Sequence, residues 1–286
     1  MELANDFLSS VLPYTEWVML FLVVGGGLFL AVYSKLLPFR YFKHALDITR
    51  GKYDHKDDPG EVSHLQALSS AVAATVGMGN IAGVAIAIYL GGPGVVFWIW
   101  ITALIGMGIK FYSCSLAVMF RGTDSLGALQ GGPMYYMIQG MGKKAKPMAI
   151  FFSIAGLFGV LPAFTANQFT QTLIDVVRPQ VNIYEMSVFH WKVLIGIILT
   201  IATSFVVFGG LKKIAKVATA IVPFMVVVYL LAVVFIMFQN AGEIFPAFKL
   251  IFSEAFNMET AVKGGFWGLV IIGIRRAVFS NEAGVG

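Results

Sequence analysis

The sequence predicts an all-α integral membrane protein with about seven transmembrane spans. Of its 286 residues, 58% are hydrophobic and only 12% are charged, whereas a soluble domain carries about 25% charged residues. Several apolar stretches exceed the ~20 residues that a helix needs to cross a bilayer. Because the bilayer interior offers no water to unpaired backbone groups, these stretches are predicted to be helices. We expect them to form a single transmembrane domain over residues 1–286.

The spans follow from the apolar runs and from the polar or glycine-rich connections between them. The first run, from about Tyr14, is too long for the core of a signal peptide, and the preceding MELANDFLSS has no basic residue. A single cysteine, Cys114, excludes an internal disulfide and a multi-cysteine metal site. The predicted spans cover roughly residues 14–37, 64–90, 95–120, 148–176, 192–208, 214–239 and 264–284.

The basic residues alternate between the connections and predict the orientation. Fifteen of the twenty Lys and Arg residues are assigned to one side: six in 35–56, four in 121–146, three in 212–216, and Arg275 with Arg276. By the positive-inside rule that side is cytoplasmic, and the N-terminus lies outside. We interpret the polar stretch 47–61 as a cytoplasmic loop and not as a metal site. Within 121–146, the run GALQGGPMYYM predicts a short interfacial helix.

The second span contains an unusual cluster, VGMGNIAG, with three glycines and an asparagine between Gly77 and Gly83. Glycine weakens a helix, and an unpaired Asn amide is costly in hydrocarbon. A helix that opens here would present N–H groups to an anion and carbonyls to a cation, beside the side-chain oxygens of Thr75 and Asn80. The alternative is close helix packing, because Gly79 and Gly83 form a GxxxG pair.

A second glycine cluster, GGFWG at 264–268, opens the seventh span. Paired interruptions in corresponding helices of two halves indicate an inverted-repeat transporter. We therefore expect this span to be interrupted near Gly265–Gly268, and the two breaks to face each other across one cavity.

Two further polar features lie within predicted spans. Lys110 is costly in the third span unless it is paired or near water, so it either snorkels, pairs with an acid or contributes to the site. The segment Thr165–Gln168 lies in the middle of the fourth span. It either forms hydrogen bonds between helices or lines the substrate cavity.

Four motifs in sequence order resemble the alanine or glycine:cation symporter family of prokaryotes. They are GMGNIAGVA at 77–85, GGPG followed by an aromatic span at 91–100, GGPMYYM at 131–137 and FSNEAGVG at 279–286. The resemblance implies a leucine-transporter-like fold of five plus five inverted helices with one extra N-terminal helix, in the prokaryotic inner membrane. Members of the family are longer, so we expect core helices seven to ten to be missing and this chain not to transport by itself.

The resemblance also implies roles for individual residues. VGMGN is similar to the VGLGN break of neurotransmitter:sodium symporters, which implies that the N–H groups of Met78 and Gly79 bind the substrate carboxylate. The implied sodium ligands are Ala73, Thr75, Val76 and Asn80. Asn80 and the Thr75 carbonyl would form one sodium site, and the carbonyls of Ala73 and Val76 would form another. The predicted substrate-binding residues are Thr75, Gly77, Met78, Gly79, Asn80, Thr165, Gly265, Phe266 and Gly268.

The chain departs from the family pattern at two positions. Thr165 stands where a Gln is expected in the family's fourth helix, and Ser113 stands where many members carry Glu. Because Thr165 is shorter than Gln and has no amide to reach the substrate, this position affects which amino acid is bound.

The leading hypothesis is therefore sodium-coupled import of alanine, glycine or a similar small neutral amino acid by alternating access. Proton coupling on the same fold is the alternative, with Lys110 as the titratable candidate in a span. An enzyme is disfavoured because no span carries HExxH, a paired-Asp or a Ser/His arrangement, and no repeated filter motif indicates a channel. We expect sodium as coupling ion, no organic cofactor, and a small amino acid and membrane lipid, but no nucleic acid, as partners.

Overall fold

The computed structural model describes residues 2–54, 60, 62–125, 127–159, 163–179, 186–257 and 265–282. These residues are mostly helical, as predicted for an all-α protein. Two short strands, β1 (Gly122–Thr123) and β2 (Leu129–Gln130), pair antiparallel. A π-helix, Phe21–Gly25, joins the first two α-helices, and a 3-10 turn covers Lys143–Ala145. The α-helices are α1 Glu2–Leu20, α2 Gly26–Tyr33, α3 Leu37–Arg40, α4 Phe42–Thr49, α5 His64–Thr75, α6 Met78–Gly91, α7 Val95–Met119, α8 Pro133–Met141, α9 Lys146–Gly159, α10 Ala163–Val176, α11 Val188–Val207, α12 Gly210–Gln239, α13 Ala241–Glu254 and α14 Gly265–Asn281.

Within the residues that the structure describes, five stretches are long and apolar enough to cross a membrane, by length and composition. Two predicted spans are not among them. The span 148–176 corresponds to α9 and α10, with 160–162 outside the described residues, and the span 264–284 corresponds to α14, which carries two arginines. The seven-span count and the leucine-transporter-like fold therefore stay predictions. The five stretches are Pro13–Tyr33, His64–Gly91, Val95–Met119, Val188–Val207 and Gly210–Gln239.

The chain divides into two compact units. Unit 1 comprises Met1–Lys43, Ala82–Gly156 and Met237–Gly286, and unit 2 comprises His44–Ile81 and Leu157–Ile236. The arrangement of a single transmembrane domain stays a prediction.

The core of unit 1 lies between α7 and α14. Val95 and Leu269 are almost completely buried there. A Cβ atom on Gly273 would lie 2.6 Å from the Cβ of Trp98. Glycine at this position therefore lets the two helices approach closely, as small residues do in membrane helix pairs.

The N-terminal helices belong to the same unit. α2 packs on α7, where Gly27 faces Ile105 so closely that a Cβ would overlap it. α1 packs on α14, and the rings of Trp17 and Trp267 lie 6.2 Å apart. The first predicted span thus contacts both α7 and α14.

Helix α13 was not predicted, because its residues were assigned to a connection on the outer side. The Phe252 ring lies 5.7 Å from that of Phe97. The indole Nε1 of Trp98 donates a hydrogen bond to the carbonyl of Ala255, at 2.9 Å. These contacts fix the C-terminal end of α13 against α7.

The predicted short helix in the 121–146 connection is confirmed as α8, which packs on α7. Burial raises the pKa of the Tyr136 phenol above its usual value, and the nearby Cys114 adds to the shift. In the polar stretch 47–61, Lys52 pairs with Asp47 at 3.2 Å. His55 and the residues around it lie outside the described part of the chain.

Unit 2 contains α5, α10, α11 and most of α12. Its buried cluster joins α10 to α11 through Ile174, Trp191 and Ile195. Many large apolar side chains of this unit are exposed, among them Phe208 and Phe224. Exposed apolar side chains in this number are typical of helices that face lipid.

Candidate substrate and sodium site

The second predicted span is broken between α5 and α6. α5 ends at Thr75, and Val76 leaves the helical conformation with φ −86° and ψ 74°. The Gly77 N–H donates to the Thr75 carbonyl at 3.1 Å, which is not the bond to the fourth preceding residue that a helix requires. α6 begins at Met78. The predicted interruption between Thr75 and Asn80 is therefore confirmed, within unit 2.

The break creates a helix N-terminus inside an apolar span. The Gly77 carbonyl accepts the N–H groups of Asn80 at 2.9 Å and of Ile81 at 3.2 Å, which starts the new helix. The N–H groups of Met78 and Gly79 come before these bonds, at the positive end of the helix dipole. A Cβ atom on Gly77 would meet no atom within 4 Å, so the space beside this residue is open. An anion fits this end of the helix by its chemistry.

Asn80 closes the break by a contact with Thr75. Its side-chain Nδ2 donates to the Thr75 carbonyl, which also accepts the Gly77 N–H. Both lone pairs of that oxygen are thus used. A cation at the Thr75 carbonyl therefore requires the Asn80 amide to rotate until its Oδ1 faces the cation. The Thr75 hydroxyl donates to the Ala71 carbonyl at 3.0 Å.

The other two predicted sodium ligands lie on either side of the end of α5. Ala73 is in its last turn, and Val76 is the residue that caps it. The last carbonyls of a helix lack intrahelical partners, so these positions have the chemistry that the prediction needs. Their role as sodium ligands stays a prediction.

The expected interruption near Gly265–Gly268 is wrong. α14 begins at Gly265, whose φ of +65° suits glycine, and it continues through Phe266 and Gly268 without a break. Gly264 lies outside the described residues. The Phe266 ring packs on the Trp98 ring, with centroids 5.6 Å apart. The glycines thus mark the start of a helix, and a role for Gly265, Phe266 and Gly268 in substrate binding stays a prediction.

The backbone instead leaves the helix at the other end of α14. Glu282 follows the last helical residue with φ +51°, a conformation that is uncommon for a residue with a side chain. This departure falls inside the motif FSNEAGVG, of which the last four residues lie outside the described part. That the two breaks face one cavity stays a prediction.

Two further residues of the sequence prediction, Thr165 and Lys110, lie on different helices. Thr165 lies in the first turn of α10 and is exposed. Lys110 lies in α7 and is half-buried, and its carbonyl accepts the Ser113 hydroxyl at 3.1 Å. The substrate role of Thr165 and a coupling role of Lys110 both stay predictions.

The sequence does not predict the roles of Arg275 and Arg276. The prediction places both in a cytoplasmic connection, but both lie within α14. Arg275 forms an ion pair with Glu16 of α1. The Arg276 guanidinium lies against Gly83 of α6, where any Cβ atom would overlap it. The signal was present, because a charge inside an apolar run requires a partner.

Gly83 lies against the Arg276 side chain of α14, so this position requires a glycine. Close helix packing through a GxxxG pair of Gly79 and Gly83 stays a prediction. The break lies at Gly77, six residues earlier in the sequence.

The whole chain, residues 1–286, matches the family model described as the sodium:alanine symporter family. It is 38% identical to the sodium/alanine symporter AgcS of Methanococcus maripaludis, over 98% of this chain and 62% of AgcS. It is 35% identical to YrbD of Bacillus subtilis, which is named as a sodium/proton-dependent alanine carrier, over 98% of this chain and 55% of YrbD. It is 32% identical to GlnT of Bacillus subtilis, named as a probable sodium/glutamine symporter, over 99% of this chain and 56% of GlnT.

The chain thus spans little more than half to about three fifths of the length of these relatives. The names of the relatives are those of transporters and not of enzymes. Together with the apolar helices and the match over its full length, these similarities show that the chain belongs to the sodium:alanine symporter family.

Proposed function

We propose that the full protein imports a small neutral amino acid, alanine or glycine, together with sodium, by alternating access to a site at the middle of the membrane. The observation that carries the proposal is the break between Thr75 and Met78 within an apolar stretch of 28 residues. Non-helical backbone at membrane depth is tolerated where it lines a cavity, and transporters use it to bind substrate and ions.

The chemistry of the break suits both ligands at once. The N–H groups of Met78 and Gly79 offer partial positive charge to a carboxylate, and the oxygens of Thr75 and Asn80 are hard ligands of the kind that sodium takes. Sodium beside the carboxylate neutralises its charge in a medium of low dielectric constant. Each ligand therefore raises the affinity of the other.

The same proposal places the protein in the prokaryotic inner membrane with its N-terminus outside. The basic residues of 35–56, 121–146 and 212–216 are predicted to lie on one side, which faces the cytoplasm by the positive-inside rule. Lipid is then the partner of the exposed apolar side chains.

Proton coupling is the second candidate, and one observation favours keeping it. YrbD, a relative at 35% identity, is named as sodium/proton-dependent. In this chain Lys110 is a half-buried titratable group within an apolar stretch. Under this alternative Lys110 would change protonation during the cycle.

Uptake by the full protein in proteoliposomes tests the proposal. Labelled alanine, glycine and serine are offered with an inward sodium gradient, with potassium in its place, and with an inward proton gradient without sodium. We expect uptake driven by the sodium gradient. Uptake driven equally well by protons without sodium, and lost in Lys110→Met, would establish the alternative instead.

A further inference from the structure

Arg276 carries a partly buried charge that the proposed site does not use. It lies within α14, and its Nε and Nη2 atoms are buried. Among the residues that the structure describes, neither atom has a hydrogen-bond partner. The neighbouring Arg275 differs, because it pairs with Glu16. Buried N–H groups of a charged side chain are costly when they have no partner, so they indicate a ligand.

The surroundings of Arg276 hold its guanidinium in one place. On one side it lies against Gly83, in the second turn of α6, where a Cβ would overlap Cζ, Nη1 and Nη2. The Arg276 Cζ also lies 5.3 Å from the ring centroid of Phe279, a cation–π arrangement. The glycine is therefore required for the guanidinium to be where it is. A charge fixed in this way is ready to bind without loss of side-chain freedom.

The two unpartnered atoms point to the class of ligand. Nε–H and Nη2–H form one edge of the planar guanidinium, and two parallel N–H groups at this spacing match the two oxygens of a carboxylate. A halide ion can occupy the same fork between the two donors. The shared chemistry is that of a small anion with one negative charge.

We propose that Arg276 binds such an anion, held by Nε–H and Nη2–H beside Gly83. The two sources are a small organic carboxylate and chloride.

Thermal unfolding of the purified full protein tests the proposal without any transport measurement. Tm is measured in sodium methanesulfonate, sodium propionate and sodium chloride at the same sodium concentration. Propionate is the probe for a carboxylate without an amino group. We expect Tm of the wild type to rise with propionate, chloride or both, and the rise to saturate with concentration.

The variants assign the effect to Arg276. Arg276→Gln should abolish the rise in Tm, and Gly83→Ala, which displaces the guanidinium, should raise the half-saturating anion concentration about tenfold or more. Arg275→Gln and Gly196→Ala are the matched controls, since a Cβ on Gly196 meets no atom within 4 Å; both should respond as the wild type does. If Arg276→Gln does not fold, Arg276→Lys keeps the charge, loses the fork and should respond more weakly.

Each outcome has one meaning. A response to propionate alone identifies the carboxylate as the ligand, and a response to chloride identifies a halide site. A wild type that responds to neither anion, or an Arg276→Gln variant that responds like the wild type, overturns the proposal. If the anion response depends on Arg276 but uptake shows no sodium dependence, the proposed function fails and the anion site stands.

Discussion

Replacing Asn80 by Ala should weaken sodium coupling strongly. In the structure the Asn80 amide donates to the Thr75 carbonyl. In the proposed site the amide rotates and offers its Oδ1 to a cation at that oxygen. Ala removes both. The loss of one charge-assisted bond of about 1.5 to 3 kcal/mol corresponds to a rise of roughly tenfold to 150-fold in the sodium concentration for half-maximal uptake.

The assay is alanine uptake by the full protein in proteoliposomes over a range of external sodium concentrations. Ser70→Ala is the matched control, because the Ser70 hydroxyl donates to the Gln66 carbonyl at 2.9 Å within α5, before the break. This variant should keep the sodium dependence of the wild type. Asn80→Asp keeps an oxygen ligand and should need far less sodium than Asn80→Ala. An Asn80→Ala variant with unchanged sodium dependence would refute the reasoning.

Three further changes test other parts of the account. Gly79→Val should abolish uptake, because a β-branched side chain blocks the approach of substrate to the backbone, while size-exclusion chromatography still shows folded protein. Arg275→Gln should lower the stability by about 1 to 3 kcal/mol by leaving Glu16 unpaired. In thermal unfolding, the double variant Glu16→Gln/Arg275→Gln should lose less stability than the sum of the two single losses. Additive losses would count against the ion pair. Gly273→Ala should cost about 1 to 3 kcal/mol, since its Cβ would lie 2.6 Å from that of Trp98, and an unchanged Tm would contradict the close packing of α14 on α7.

The features that the sequence predicted well are those written in a local pattern. The break at Val76 and Gly77 follows from glycines placed in an otherwise apolar helix. The start of α8 follows from two glycines and from Pro133 at its first position. Both depend on backbone preferences of a few consecutive residues. Neighbouring helices are not needed to determine them.

The features that the sequence did not predict depend on contacts between distant segments. The glycines after 264 mark the start of a helix at Gly265. A positive φ suits the first residue of a helix as well as a break within one. The positions of Arg275 and Arg276 depend on Glu16 and Gly83, which lie nearly two hundred residues or more away in the sequence. Charge counting along the chain cannot distinguish a residue in a connection from one that packs inside a helix pair.

The central claim is that sodium and the amino acid bind side by side at the broken span, and reciprocal affinity measurements test it most directly. Isothermal titration of alanine into the full protein is carried out at several sodium concentrations, with potassium as the replacement, and sodium is titrated with and without alanine. The account predicts that each ligand raises the affinity of the other by the same factor. Equal alanine affinity in sodium and in potassium would contradict it.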